Sequence, residues 1–250
     1  MSIDTIELPL TAPVNLRDLG GIRVAGGSVR RGFAIRADDL STSDADSAAD
    51  LVERGLTSII DLRSHAEATF TGRGPFGSMP VTYHHVPFLT SLEDATEDAM
   101  NQASFERLYV RMFDSAAPRI VQALAVIATS PGATAFHCAA GQDRTGVLAA
   151  ALLLVLGASH DDIVEDYTHT GQNSPAIVER IAPVMGPLMA ERGIDLEAAA
   201  KAASRPEFSP APMEGLLAHL SREDADPLRR LREAGLTDGL IETLRSLAVV

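Results

Sequence analysis

Residues 135–157 read AFHCAAGQDRTGVLAAALLLVLG, and no other stretch restricts the fold as much. A short apolar run passes through a glycine-bearing loop into a long Leu- and Ala-rich segment. That is the signature of a strand handing over to a helix, the repeating step of α/β proteins. Val147–Leu156 carries no polar residue, and a helix apolar on every side must be buried. At ten residues it is well short of the roughly 20 needed to span a bilayer, so it is read as core.

The neighbouring segments fit the same plan. STSDADSAADLVERGL opens with capping residues and first-turn acids and is followed at its last turn by Gly55, so it predicts a helix with both ends marked. Thr57–Leu62 then reads as a short buried strand and VTYHHVPF as a second one, which suggests βαβ winding. Ala117–Thr129 has helical period and is stopped by Pro131-Gly132, ahead of a strand ATAFH. Ala25-Gly26-Gly27 marks a hairpin. Ile163–His169 and Ser174–Met189 read as two helices, and the Pro- and Ala-rich stretch after them as a loop. Three further segments of helical period close the chain. The expected fold is therefore α/β: a central, mostly parallel sheet flanked by helices, in one domain over residues 1–250. Residues 91–112 are read as a lid or insertion and residues 174–250 as a helical C-terminal part.

Composition narrows the function. The 250 residues can bury a real core. One cysteine excludes an intrachain disulfide, and the absence of paired His or Cys spacing predicts no metal and no cofactor. His84-His85 is read as strand polarity. The net charge of −13 argues against a nucleic-acid partner or an anionic membrane surface, so any bound anion needs a local cationic pocket. The opening MSIDTIELPL is unlike a signal peptide. The expected location is the cytoplasm, with signal-independent export left open and no stable membrane insertion expected.

The loop HCAAGQDRTG supplies such a pocket. Between a strand and a helix, the backbone N–H groups of Ala139, Ala140, Gly141 and Gln142 can converge on one point, and the helix N-terminus adds positive potential. Arg144 offers a planar fork of donors for phosphate. The same field favours a thiolate at Cys138. A thiolate beneath a bound phosphate is placed for in-line attack on phosphorus. Thr145 is positioned to hydrogen-bond the sulfur, and His137 is read as ordering the loop. At about one in twenty per fixed position, chance occurrence of His-Cys-x-x-Gly-x-x-Arg-Thr in such a chain is on the order of one in ten thousand, so the pattern is treated as a motif.

That motif resembles the signature of the cysteine-dependent tyrosine phosphatases. NLRDLGG (residues 15–21), RRGFAIRADDLS (30–41), IIDLRSHAE (59–67) and IVEDYTHT (163–170) are similar to blocks of the atypical bacterial members of that family. The resemblance implies a phosphatase-like fold and hydrolysis of phosphotyrosine, with phosphoserine, phosphothreonine and phosphoinositides as further substrates. It implies a phosphorylated protein, a small phosphomonoester or a phospholipid headgroup as partner. Gln142 stands where the family usually has lysine, which removes one cation and counts against multiply phosphorylated substrates. A catalytically inactive phosphate-binding module is the alternative reading.

The leaving oxygen needs a general acid. Asp61, at the end of a strand, is placed first, Asp143 within the loop second and Asp166 third. Arg63 is a candidate for a second phosphate contact. Arg17 and Asp18 are read as an ion pair fixing the N-terminal turn.

Overall fold

The computed structural model describes residues 8–88, 102–191, 208–222 and 226–250. Its sheet is built from β1 (Arg17–Asp18), β4 (Ala34–Ala37), β5 (Leu56–Asp61), β6 (Thr82–His85) and β7 (Ala133–His137), in the spatial order β1-β4-β7-β5-β6. The last four strands of that order are parallel, and β1 runs antiparallel along the edge of β4. β2 (Arg23–Val24) and β3 (Gly27–Ser28) form the expected hairpin as a separate pair.

The central strands alternate between two apolar layers, as the two-residue repeat of a strand requires. Ile59 and Ala135 face a layer containing Leu51 of α1 (Ala45–Glu53), whereas Ile60 and Phe136 face the larger layer. The larger layer is filled by α4 (Ala117–Thr129) and α5 (Asp143–Leu156). Both faces of the sheet are therefore covered, which suits parallel strands. Val147 to Leu156 is buried throughout, as its apolar sequence requires.

Local signals explain most boundaries. The Asp44 carboxylate accepts the Ser47 N–H (2.7 Å) at the start of α1, and Gly55 beyond its end has φ +96°. α2 (His65–Thr71) and α3 (Gln102–Ser115) follow β5 and β6. The C-terminal part contains α6 (His160–Glu191), α7 (Ala211–Arg222), α8 (Arg229–Glu233) and α9 (Asp238–Ala248). One expectation is corrected here: the two helices read at Ile163–His169 and Ser174–Met189 are a single helix. Gly171 between them gives room for a neighbour rather than a stop. A Cβ there would lie 2.5 Å from the Phe208 ring. Residues 91–101 of the expected lid, and most of the expected loop after α6, lie outside the described residues; residues 102–112 belong to α3. Among the described residues, no helix is long and apolar enough to cross a membrane.

The parallel strands end on one edge. Ala37, His137 and Asp61 are neighbours in register there, and the chain segments that follow them build the site.

Candidate active site

Cys138 leaves the end of β7 and is 1% exposed. The loop after it is held from outside by its carbonyls. Asp39 N–H donates to Ala139 O (3.0 Å). Asn15 Nδ2 donates to Ala140 O (3.1 Å) and Gly141 O (3.2 Å), and Arg36 Nη2 donates to Gly141 O (2.9 Å). A peptide whose C=O points out turns its N–H in, so the amides of Ala140, Gly141 and Gln142 face the interior of the loop. Gly141 is required twice over. Its φ is +69°, and a Cβ would sit 2.5 Å from Ala37 O. The first intrahelical bond of α5 runs from Gly146 N–H to Gln142 O (2.9 Å), so the amides just before it have no acceptor within the helix. Gln142 and Asp143 are half-buried in this turn. Thr145 is fully buried, and its Oγ1 has no hydrogen-bond partner among the described residues.

Arg144 is fixed by a carboxylate that the sequence reading did not assign. Its Nη1 and Nη2 donate to the two oxygens of Glu67 at 2.6 and 2.9 Å. Glu67 lies in the first turn of α2, where it forms a capping box. The Ser64 hydroxyl accepts the Glu67 N–H (3.3 Å), and the carboxylate accepts the Ser64 N–H (2.7 Å). Burial opposes ionisation of Glu67, but the Arg144 charge outweighs it and pulls the carboxyl down to about 2. Burial likewise works against the Arg144 charge. Glu67 and then Cys138 outweigh it, so the guanidinium is held above its ordinary value. The available signal was the Ser64-x-x-Glu67 spacing, which places the glutamate but not its partner.

Asp61 and Arg63 differ from expectation. Both are fully buried. Arg63 Nε and Nη2 donate to Asp61 Oδ1 (2.9 Å) and Oδ2 (2.7 Å), Tyr83 Oη donates to Oδ2 (2.5 Å), and Arg63 Nη1 donates to Asp39 Oδ2 (2.9 Å). Burial disfavours the charge on Asp61, yet His137, Arg63 and Tyr83 outweigh it and hold the carboxyl well below the usual range. Both oxygens of this carboxylate are thus engaged, and Arg63, which also bonds Ser41 and Gly72, has no face left for a phosphate. The pair braces the floor of the loop, where His137 Nδ1 lies 3.4 Å from Leu40 N and 3.2 Å from Cys138 O.

Asp143 is placed differently. It is the first residue of α5, with its Oδ1 accepting the Tyr109 hydroxyl at 2.7 Å. The expected Arg17–Asp18 ion pair is not formed. Arg17 Nε donates to Asp166 Oδ1 (2.8 Å), whereas Asp18 accepts the N–H groups of Gly20 and Gly32. Asp166 also accepts from Arg36 (2.5 Å), so its carboxylate is consumed in holding the arginine that holds Gly141.

The model of the tyrosine phosphatase family matches residues 8–249, and the chain belongs to that family. It is an enzyme of the protein-tyrosine-phosphatase type, a phosphoric monoester hydrolase. Among its relatives is a Cupriavidus necator protein named "Putative tyrosine-protein phosphatase", 31% identical over 221 residues, covering 81% of this chain and 78% of the relative. The Mycobacterium tuberculosis protein named "Triple specificity protein phosphatase PtpB" is 28% identical over 203 residues, covering 68% and 71% of the two chains. A Nostoc commune tyrosine-protein phosphatase is 28% identical over 163 residues, covering 64% of this chain and 48% of the relative.

Proposed function

We propose that this chain hydrolyses phosphotyrosine through a cysteinyl-phosphate intermediate, with phosphoserine, phosphothreonine and phosphoinositide as the substrates to compare. The observation that carries this reading is the arrangement around Cys138: three outward carbonyls, the amides opposite them, and Arg144 locked on Glu67. Phosphate oxygens bind the amides of Ala139 to Gln142 and the remaining face of Arg144. Cys138 Sγ attacks phosphorus as the bond to the ester oxygen breaks, and that oxygen takes the proton of Asp143. A water then attacks phosphorus, gives its proton back to Asp143 and breaks the S–P bond. Thiolate and inorganic phosphate are the products. Thr145, whose buried hydroxyl has no partner among the described residues, stabilises the departing sulfur. Within residues 138–145 Arg144 is the one cation, and Gln142 adds no charge, which favours one phosphate group per substrate. The name of the mycobacterial relative supports testing more than one substrate class.

The test is hydrolysis of p-nitrophenyl phosphate with EDTA present. Wild type turns over and Cys138→Ser does not. Phosphate binding by reduced wild type without turnover would make the chain a phosphate-binding module instead. Activity that depends on added metal would remove the thiolate mechanism.

A further inference from the structure

A buried chain of two phenols ends on Asp143. Tyr109, from α3, is fully buried and donates to Asp143 Oδ1 at 2.7 Å. Its oxygen lies 2.8 Å from the hydroxyl of Tyr167, from α6, which is 1% exposed. The direction of the chain follows from chemistry. An ionised carboxylate only accepts, so the Tyr109 proton is committed to Asp143, and the Tyr167 proton must then be the one shared between the phenols. Packing fixes both rings. They meet edge-on at 6.0 Å, and Tyr167 also packs on Phe208 with centroids 5.0 Å apart. Across α5, Gly146 lets Tyr167 approach so closely that a Cβ there would sit 3.3 Å from the ring.

We propose that Tyr109, backed by Tyr167, is a positioning residue that dictates which oxygen of Asp143 carries the catalytic proton. Because Oδ1 is taken by the phenol, the neutral acid keeps its proton on Oδ2, and only Oδ2 delivers it to the leaving oxygen. The proposal rests on the assignment of Asp143 as general acid. Among the described residues, Tyr109 from α3 bonds this carboxyl, Tyr167 on α6 stands behind it, and the Arg144 guanidinium interacts with it electrostatically. Glu67 on α2 is engaged by Arg144, and Asp166 on α6 by Arg17 and Arg36. A hydrogen bond donated to a carboxylate favours its charged form. Removing the donor therefore leaves Oδ1 and Oδ2 equally open to the proton.

Tyr109→Phe, Tyr167→Phe, Asp143→Asn and the double variant Tyr109→Phe/Asp143→Asn test this, using phenyl phosphate as a poor leaving group and p-nitrophenyl phosphate as a good one. For Tyr109→Phe, kcat/KM on phenyl phosphate falls about tenfold and on p-nitrophenyl phosphate only about two- to threefold. Tyr167→Phe, which leaves the bond to Asp143 in place, shows the same leaving-group selectivity to a smaller extent. It serves as the test should Tyr109→Phe fold poorly. With Asn at 143, the further change Tyr109→Phe costs less than about twofold on either ester, because coupled residues are not additive. Equal losses on both esters, or full additivity in the double variant, overturn the positioning role. If Asp143→Asn itself loses equally on both esters, the acid assignment fails and this proposal fails with it.

Discussion

Arg144 lays both terminal nitrogens of its guanidinium on the two oxygens of Glu67, at 2.6 and 2.9 Å, and Glu67 is 1% exposed. The arginine that would grip phosphate is thus set in place before any ligand arrives, by a carboxylate 77 residues away in sequence. Preorganisation of this kind spares the site the ordering of a long side chain during the reaction.

Glu67→Gln should lower kcat/KM for p-nitrophenyl phosphate by about 10- to 100-fold while weakening inhibition by inorganic phosphate, because the fork loses its bidentate partner. The same variant should alter acid unfolding. The Glu67 carboxyl is depressed from 4.5 to about 2 in the folded chain, so its contribution is complete above pH 4.5 and is lost as pH falls towards 2. That contribution is roughly 3 kcal/mol in wild type. Denaturant titrations across this window should be visibly flatter for Glu67→Gln. A variant as steep as wild type would show that the pair does not couple to folding.

Gly141→Ala should abolish measurable phosphate binding and lower turnover more than about 100-fold. The added methyl meets the Ala37 carbonyl, and the left-handed φ resists it as well. Calorimetric titration with inorganic phosphate measures the first effect, and steady-state kinetics the second. Retention of wild-type affinity would contradict the close approach of the loop to β4.

Asp61→Asn and Asp143→Asn should separate cleanly. The first breaks a buried pair with Arg63, which typically costs about 3–5 kcal/mol, and it should reduce activity on good and poor leaving groups alike. The second should leave the melting temperature nearly unchanged and selectively lose the poor leaving groups. A preserved melting temperature in Asp61→Asn together with a selective loss would return the proton to Asp61.

Peroxide should inactivate the enzyme, inorganic phosphate should slow the inactivation and dithiothreitol should restore part of it. The lone thiol lies under the anion cradle and has no resolving cysteine, since Cys138 is the only cysteine in the chain. Indifference of the inactivation rate to phosphate would place the thiol away from the bound anion.

Much of this was readable from the residues, and the pattern of success has a physical cause. α4 and β7 fall at their expected residues, and α1 and the hairpin close to them, because each is written in local signals: period, caps and turn glycines. The Cys138 loop was legible for the same reason, since its parts are contiguous. The misread elements depend on contacts between distant segments. The gap expected between Ile163–His169 and Ser174–Met189 contains Gly171, against which the distant Phe208 packs. Asp61 ends its strand at the right edge, yet Arg63 and Tyr83 decide that it is sealed. Asn15 reaches Gly141 across 126 positions, and Tyr109 reaches Asp143 across 34. No spacing rule encodes such pairs.

One further consequence concerns the 32-residue helix α6. Its Asp166 grips Arg17 and Arg36, and Arg36 in turn grips the Gly141 carbonyl. The helix is therefore tied to the catalytic loop through Arg36. A shift of about an ångström at Asp166 would stretch both contacts beyond hydrogen-bonding range. Any displacement of Asp166 is therefore passed through Arg36 to the Gly141 peptide.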